Sequence, residues 1–232
     1  MSIIKMNRSV IPACDVSTLE MLEKLVSETC NVKGIGAYKI GFELVIPFGM
    51  RNVIDVIRKH TDLPIIYDHQ KSGTDIPATG AKFMRACKGV DAVIIFPQAG
   101  PETEKEWIKA AKNEGMEIIV GGEMTHPGYL EKDNGFILDS APKRIYEIAA
   151  SLGVTNFVVP GNKPDKILEY KEFLESKGVK PVFYSPGLVA QGGDLTDSAK
   201  AAGENWHAIV GRGIYQAKNM QKSAEEITKK II

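Results

Sequence analysis

The amino-acid sequence predicts an α/β protein, a (β/α)8 TIM barrel formed as a single domain by residues 1–232. Three observations predict it. Short β-branched apolar runs alternate with amphipathic segments eight times, nearly every amphipathic segment closes on glycine, and the runs are as apolar as strands buried on both faces. Eight such units in 232 residues suit a closed barrel better than an open doubly wound sheet. No Pro/Gly/Ser-rich linker or change of composition divides the chain.

The first strand is read over residues 10–16, and Ser17 with Glu20 reads as a capping box before a helix whose apolar stripe is Leu19, Leu22, Leu25 and Val26. The second strand ends in Ala37-Tyr38-Lys39-Ile40, and residues 52–60 supply its helix. Residues 63–68 form the third strand, followed by a helix over residues 77–88 that Gly89 stops. Strands four to six fall at residues 92–96, 117–121 and 157–159, with helices ending at Gly115, Gly153 and Gly178. Residues 181–184 and 207–210 are strands seven and eight, and a last helix runs over residues 219–232. One long excursion, residues 129–140, follows strand five; it is either part of a lid or a plain surface loop.

Composition narrows the function. Lysine plus arginine balances aspartate plus glutamate at 29 each, so no overall basic field gathers nucleic acid and any anion site must be local. Trp107 and Trp206 read as packing residues, with no aromatic ladder for bases. No apolar run approaches the roughly 20 residues of a membrane helix, and residues 1–9 are too short and polar for a signal peptide, so a cytoplasmic protein is expected. Cys14, Cys30 and Cys87 lack CxxC spacing and read as reduced thiols, and the four histidines show no metal-ligand spacing.

Barrel enzymes keep their chemistry at the carboxyl ends of the strands, and polar residues recur there. Asp15 ends strand one, Lys39 lies late in strand two, Asp68 and Lys71 end strand three, and Asp75 begins the next helix. Glu123 and Thr125 follow strand five, Gln191 follows strand seven, and Arg212 ends strand eight. A charge pointing into an apolar barrel costs several kcal/mol unless paired, so alternating carboxylates and ammonium groups are the way to hold them there. Glycines cluster after strands seven and eight, at Ser185-Pro186-Gly187, Gln191-Gly192-Gly193 and Gly211-Arg212-Gly213. Loops seven and eight are the usual phosphate cradle of a barrel, where glycine lets backbone N–H groups approach and an arginine adds a two-pronged bond. A phosphate ester is the expected ligand.

The motifs Asp15, Lys39-Ile40-Gly41, Asp75-Ile76-Pro77-Ala78-Thr79, Glu123-Met124-Thr125-His126-Pro127-Gly128, Pro160-Gly161, Pro186-Gly187, Ala190-Gln191-Gly192-Gly193 and Gly211-Arg212-Gly213-Ile214-Tyr215 resemble the orotidine 5′-phosphate decarboxylase family, especially its archaeal members. The resemblance runs through nearly the whole chain and implies a charge tetrad of Lys39, Asp68, Lys71 and Asp75. In this scheme Lys71 protonates C6 of the pyrimidine as carbon dioxide leaves, Asp68 stands near the substrate carboxylate, and Lys39 with Asp75 holds both. Asp15 and Thr79 bind ribose hydroxyls, Thr125 bonds the pyrimidine edge, and Gln191 bridges the base to a phosphate held by Arg212 and Gly211, with Pro186 in the same binding set. The resemblance further implies a homodimer that donates Asp75 and Thr79 to the neighbouring site, with neither metal nor cofactor.

The family spells its central motif Asp-x-Lys-x-x-Asp, whereas this chain reads Asp68-His69-Gln70-Lys71-Ser72-Gly73-Thr74-Asp75, one residue longer in each gap. On a regular strand an Asp and a Lys three apart face opposite sides. A bulge restores them to one face, and Gly73 can absorb the second insertion at positive φ. Two rival readings accompany the leading one: a magnesium-dependent keto-sugar-phosphate lyase or decarboxylase of the same superfamily, and an inactive phosphate-ligand binder.

Overall fold

The computed structural model describes residues 3–189 and 194–231, Lys71 by its backbone alone. Eight parallel strands close into a barrel in the order β1 to β8. They are β1 (Arg8–Cys14), β2 (Tyr38–Gly41), β3 (Ile65–Ser72), β4 (Ala92–Ile95), β5 (Glu117–Gly121), β6 (Asn156–Val158), β7 (Val182–Ser185) and β8 (Trp206–Val210). Around them stand α1 (Leu19–Thr29), α2 (Phe42–Phe48), α3 (Met50–Arg58), α4 (Gly80–Ala86), α5 (Pro101–Asn113), α6 (Ala141–Ser151), α7 (Pro164–Ser176), α8 (Leu195–Ala202), α9 (Arg212–Tyr215) and α10 (Met220–Thr228). The βα rhythm read from the sequence is the rhythm of the fold.

Strand alternation divides the apolar residues between two cores. Val10, Cys14, Tyr38, Ile40, Ile65 and Tyr67 turn outward and pack against the helices. Ile11, Ala13, Ile66, Ile94, Phe96, Ile119 and Ile209 turn inward and fill the barrel. Each fully buried large side chain stabilises the fold by about 1.5–3 kcal/mol. The inner packing is tight at one point: a Cβ on Gly121 would lie 2.1 Å from the Phe96 ring, so only glycine leaves the ring its place.

Three helices end alike. At the end of α5 the Met116 N–H donates to Ala111 O and the Gly115 N–H to Lys112 O, and Gly115 has φ +70°. This is the Schellman closure that the glycine signal foretold, and α6 and α7 repeat it at Gly153 and Gly178. Two local expectations need correction. Thr18, not Ser17, caps α1, accepting from the Met21 N–H at 3.2 Å, because the backbone is still extended at Thr18 and turns helical one residue later than the capping-box reading placed it. An extra helix, α2, precedes the one expected after β2; Pro47 inside it and the exposed Phe42 and Ile46 hide the apolar periodicity that announces a helix.

The third strand departs most. It pairs regularly with β4 up to Asp68↔Ile94, and the next pair is Ser72↔Ile95, so residues 69–71 stand out of the ladder as a bulge. The bulge that the motif spacing requires is present. Gly73 takes φ +106° as expected, but the first gap is absorbed by Gln70 at φ +49°, a left-handed conformation costing a non-glycine residue on the order of 1–2 kcal/mol. The excursion after β5 carries a short 3-10 turn (Glu131–Asp133) and a bridge between Leu130 and Ile137.

Candidate active site

A cavity of about 180 Å³ opens at the carboxyl ends of the strands. Its floor is made by inward positions near the tops of neighbouring strands: Ala13 pairs in register with Lys39, and Gly41 with Asp68. Lys39 is buried, and its ammonium Nζ lies 3.2 Å from Asp15 Oδ1 and 3.4 Å from Asp68 Oδ2. Burial alone would pull the Lys39 pKa down. The Asp68 and Asp15 carboxylates, with their hydrogen bonds, outweigh that penalty and hold it above the ordinary lysine value. Asp68 is buried and Asp15 is about one-third exposed at 34%, so the array runs from the barrel interior to the opening. Pairing allows the buried charges to persist as charges.

On the opposite wall the cavity is lined by Pro186, Gly187, Gly211 and Arg212, from the loops after β7 and β8. Arg212 is exposed, and no carboxylate among the described residues pairs with its guanidinium. The site therefore has an anion–cation–anion floor running from buried Asp68 to part-exposed Asp15 and, among the described residues, a cation with no carboxylate partner at its rim. Tyr215 also lines it, its hydroxyl pKa raised by burial first and by the Asp15 charge second.

Of the residues singled out from the sequence, Asp15, Lys39, Asp68, Pro186, Gly211 and Arg212 meet around this cavity. Gln191 and the side chain of Lys71 fall outside the described residues. Asp75 and Thr79 do not line the cavity. Asp75 is exposed, its carboxylate accepting from the Ile76 N–H at 2.7 Å, while its carbonyl accepts from the Thr103 hydroxyl at 2.9 Å. Thr79 donates to Ile76 O at 2.7 Å, and the Trp107 indole donates to the same oxygen at 3.3 Å. The segment carrying Asp75 and Thr79 is thereby pinned against α5 and faces solvent. Thr125 stands apart from the cavity as well, its carbonyl accepting from Asn162 Nδ2 at 3.0 Å.

Glu123, another strand-end charge, turns to the outer layer. It is buried, bound to Lys163 Nζ at 2.8 Å and to the Tyr170 hydroxyl, and so ties the loop after β5 to α7. Cys14 also faces outward behind Asp15. Burial, then the Asp15 charge, keep its thiol far above the ordinary cysteine value, and burial pushes the Cys87 thiol up to about 12, so neither is a nucleophile at neutral pH. Sequence reasoning missed Gln70 and Tyr215 as cavity residues. The signal for Gln70 was available: it belongs to the lengthened motif.

A parallel barrel that gathers paired buried charges at the carboxyl ends of its strands, beside glycine-rich loops, has the plan of a barrel enzyme for small anionic substrates. More narrowly, the chain belongs to the orotidine 5′-phosphate decarboxylase / HUMPS family, which it matches over residues 8–227. It is 31% identical over 215 residues to the orotidine 5′-phosphate decarboxylase of Methanocaldococcus jannaschii, covering 92% of this chain and 94% of that one. It is 32% identical over 229 residues to the Methanosarcina mazei enzyme of the same name, covering 97% and 96%. Its fold is similar to the crystal structure of the M. jannaschii decarboxylase complexed with inhibitor BMP, with TM-score 0.85, 29% identity, and 97% of this chain and 98% of that chain covered.

Proposed function

We propose that this chain decarboxylates orotidine 5′-phosphate to uridine 5′-phosphate, a carboxy-lyase step of pyrimidine biosynthesis, as a cytoplasmic homodimer of single-domain barrels that needs neither metal nor cofactor. The observation that carries the reading is the Asp15–Lys39–Asp68 array at the cavity floor, facing Arg212 at the rim. Loss of carbon dioxide leaves a carbanion at C6 with no π-system to spread it. A fixed ammonium nearby is then the most useful stabilisation in the transition state.

In this reading Lys71 supplies that ammonium and afterwards protonates C6. Asp68 crowds the substrate carboxylate in the ground state, and Lys39 fixes Asp68 in position. Asp15 holds the ribose, while Arg212, Gly211 and Gln191 hold the phosphate, with Pro186 beside the base. Phosphate binding far from the reacting carbon contributes energy for excluding water. The position of the exposed Asp75 and half-buried Thr79, away from the cavity of their own chain, fits their donation to a neighbouring subunit.

The test is loss of the ultraviolet absorbance of orotidine 5′-phosphate, followed with and without a chelator. Turnover unaffected by chelator is expected. Turnover that the chelator abolishes would favour the magnesium-dependent alternative, against which Lys39 already counts because those enzymes place an acidic ligand at its position. Tight uridine 5′-phosphate binding without turnover would favour the inactive binder.

A further inference from the structure

The three residues that bulge from β3 are the feature that separates this chain from its family's motif, and His69 and Gln70 meet different neighbours. His69 turns outward. Its ring meets Phe42, Tyr67 and Phe83 at centroid distances of 6.5, 5.7 and 6.0 Å, and its Nδ1 is hydrogen-bonded to the Tyr67 hydroxyl. That anchorage on the outer aromatic cluster holds one side of the bulge. Gln70 lines the same cavity as Asp15, Lys39 and Arg212.

The position of its amide can be fixed further. Gln70 Nε2 and Asp15 Oδ1 each lie 3.4 Å from the point where a Cβ on Gly41 would sit, so both groups border the space that the missing side chain leaves. A non-glycine residue at φ +49° is an outlier of the kind that collects at functional sites. Asp15, engaged with Lys39, only accepts hydrogen bonds when ionised, whereas a carboxamide offers two donors and an acceptor without adding charge. Together they present what a vicinal diol needs.

We infer that Gln70 is a substrate-reading residue, its carboxamide bonding the sugar hydroxyls of the bound nucleotide beside Asp15. The inference rests on the decarboxylase reading of the site and assigns a role to a residue of the lengthened gap. It concerns recognition of a hydroxylated sugar and leaves the proton transfer to other groups.

The test uses Gln70→Gly, because glycine accepts the positive φ and the variant keeps the bulge while losing the amide. Calorimetric titration compares uridine 5′-phosphate with 2′,3′-dideoxyuridine 5′-phosphate on the whole protein, alongside the melting temperature. Affinity for the ribonucleotide should fall about 3- to 10-fold, the range of one net hydrogen bond, with the dideoxy affinity unchanged and the melting temperature equal or higher. Equal losses for both ligands, or no loss for either, would overturn the inference. Either of those outcomes, with wild-type protein that turns over orotidine 5′-phosphate, defeats the inference alone. Wild-type protein that neither turns it over nor binds uridine 5′-phosphate defeats the decarboxylase reading, and Gln70 loses its role with it.

Discussion

The barrel buries polar groups at both of its ends, and the two ends solve the problem differently. At the base, Ser9 Oγ and His207 Nδ1 are 2.8 Å apart, and the Tyr184 hydroxyl donates to Asn156 Oδ1 at 3.3 Å. These groups are neutral: burial pushes the His207 pKa down to about 4. At the mouth the groups form ion pairs, with Lys39 between Asp15 and Asp68. The neutral pairs satisfy each other and close the barrel floor. Charges cost far more to bury than neutral dipoles, so their placement around a cavity marks where the molecule does something besides fold. Removing a group at the mouth should therefore cost activity, whereas removing one at the base should cost stability alone.

The sharpest attempt to break this contrast is Lys71→Ala. Turnover should fall by roughly 10⁴-fold or more, combining the loss of a general acid with the loss of a preorganised charge, while uridine 5′-phosphate binding survives. Mixing Lys71→Ala with Asp75→Ala chains should recover part of the activity, since one of the two sites in a hybrid dimer has both wild-type groups. No recovery in verified heterodimers would reject the shared site. Next in size is Lys39→Met, which leaves two carboxylates facing each other. A decrease of about 10²- to 10³-fold in turnover and of about 3–5 kcal/mol in denaturant stability is expected. A stable, active Lys39→Met protein would remove the distinction between the two ends.

The smallest effects belong to the base. Ser9→Ala should cost about 1–3 kcal/mol through the unpartnered His207 nitrogen and leave turnover unchanged. His207 should also impose a pH dependence. Its folded pKa, about 4, lies below the unfolded value of about 6.5, so its contribution is complete above pH 6.5 and is lost as acid takes the pH down toward 4. Below pH 6.5 the unfolded chain binds a proton that the folded chain refuses, amounting to about 3 kcal/mol over the full window. Urea titrations of wild type and His207→Gln between pH 4 and 7 should show the slope in the first and its flattening in the second.

Much of the fold was legible because period and punctuation agree. The strands announced themselves by apolar runs, and Gly115, Gly153 and Gly178 by the left-handed closures they make. What escaped lacked a local signal: α2 exposes apolar side chains and contains Pro47, so its pattern is not that of an amphipathic helix. At the site, strand-end position identified Asp15, Lys39 and Asp68 but could not tell which face a residue takes. Glu123 occupies an equivalent position and yet turns outward to Lys163 and Tyr170. Motif spacing implied a bulge in β3; it could not say that Gln70 rather than a glycine would take the first strained turn. Asp75 and Thr79 are beyond one chain's geometry, because their proposed partners lie on another.

The way β3 regains its place has a consequence for how such a site can change. Ser72 pairs with Ile95 directly above Asp68 and Ile94, so the wall resumes as if nothing had been inserted. The extra residues leave the ladder, His69 joining the outer aromatic cluster and Gln70 the cavity, while the register of the strand beyond them is kept. A barrel built this way can lengthen its catalytic edge and try new side chains against a substrate while inheriting its framework intact.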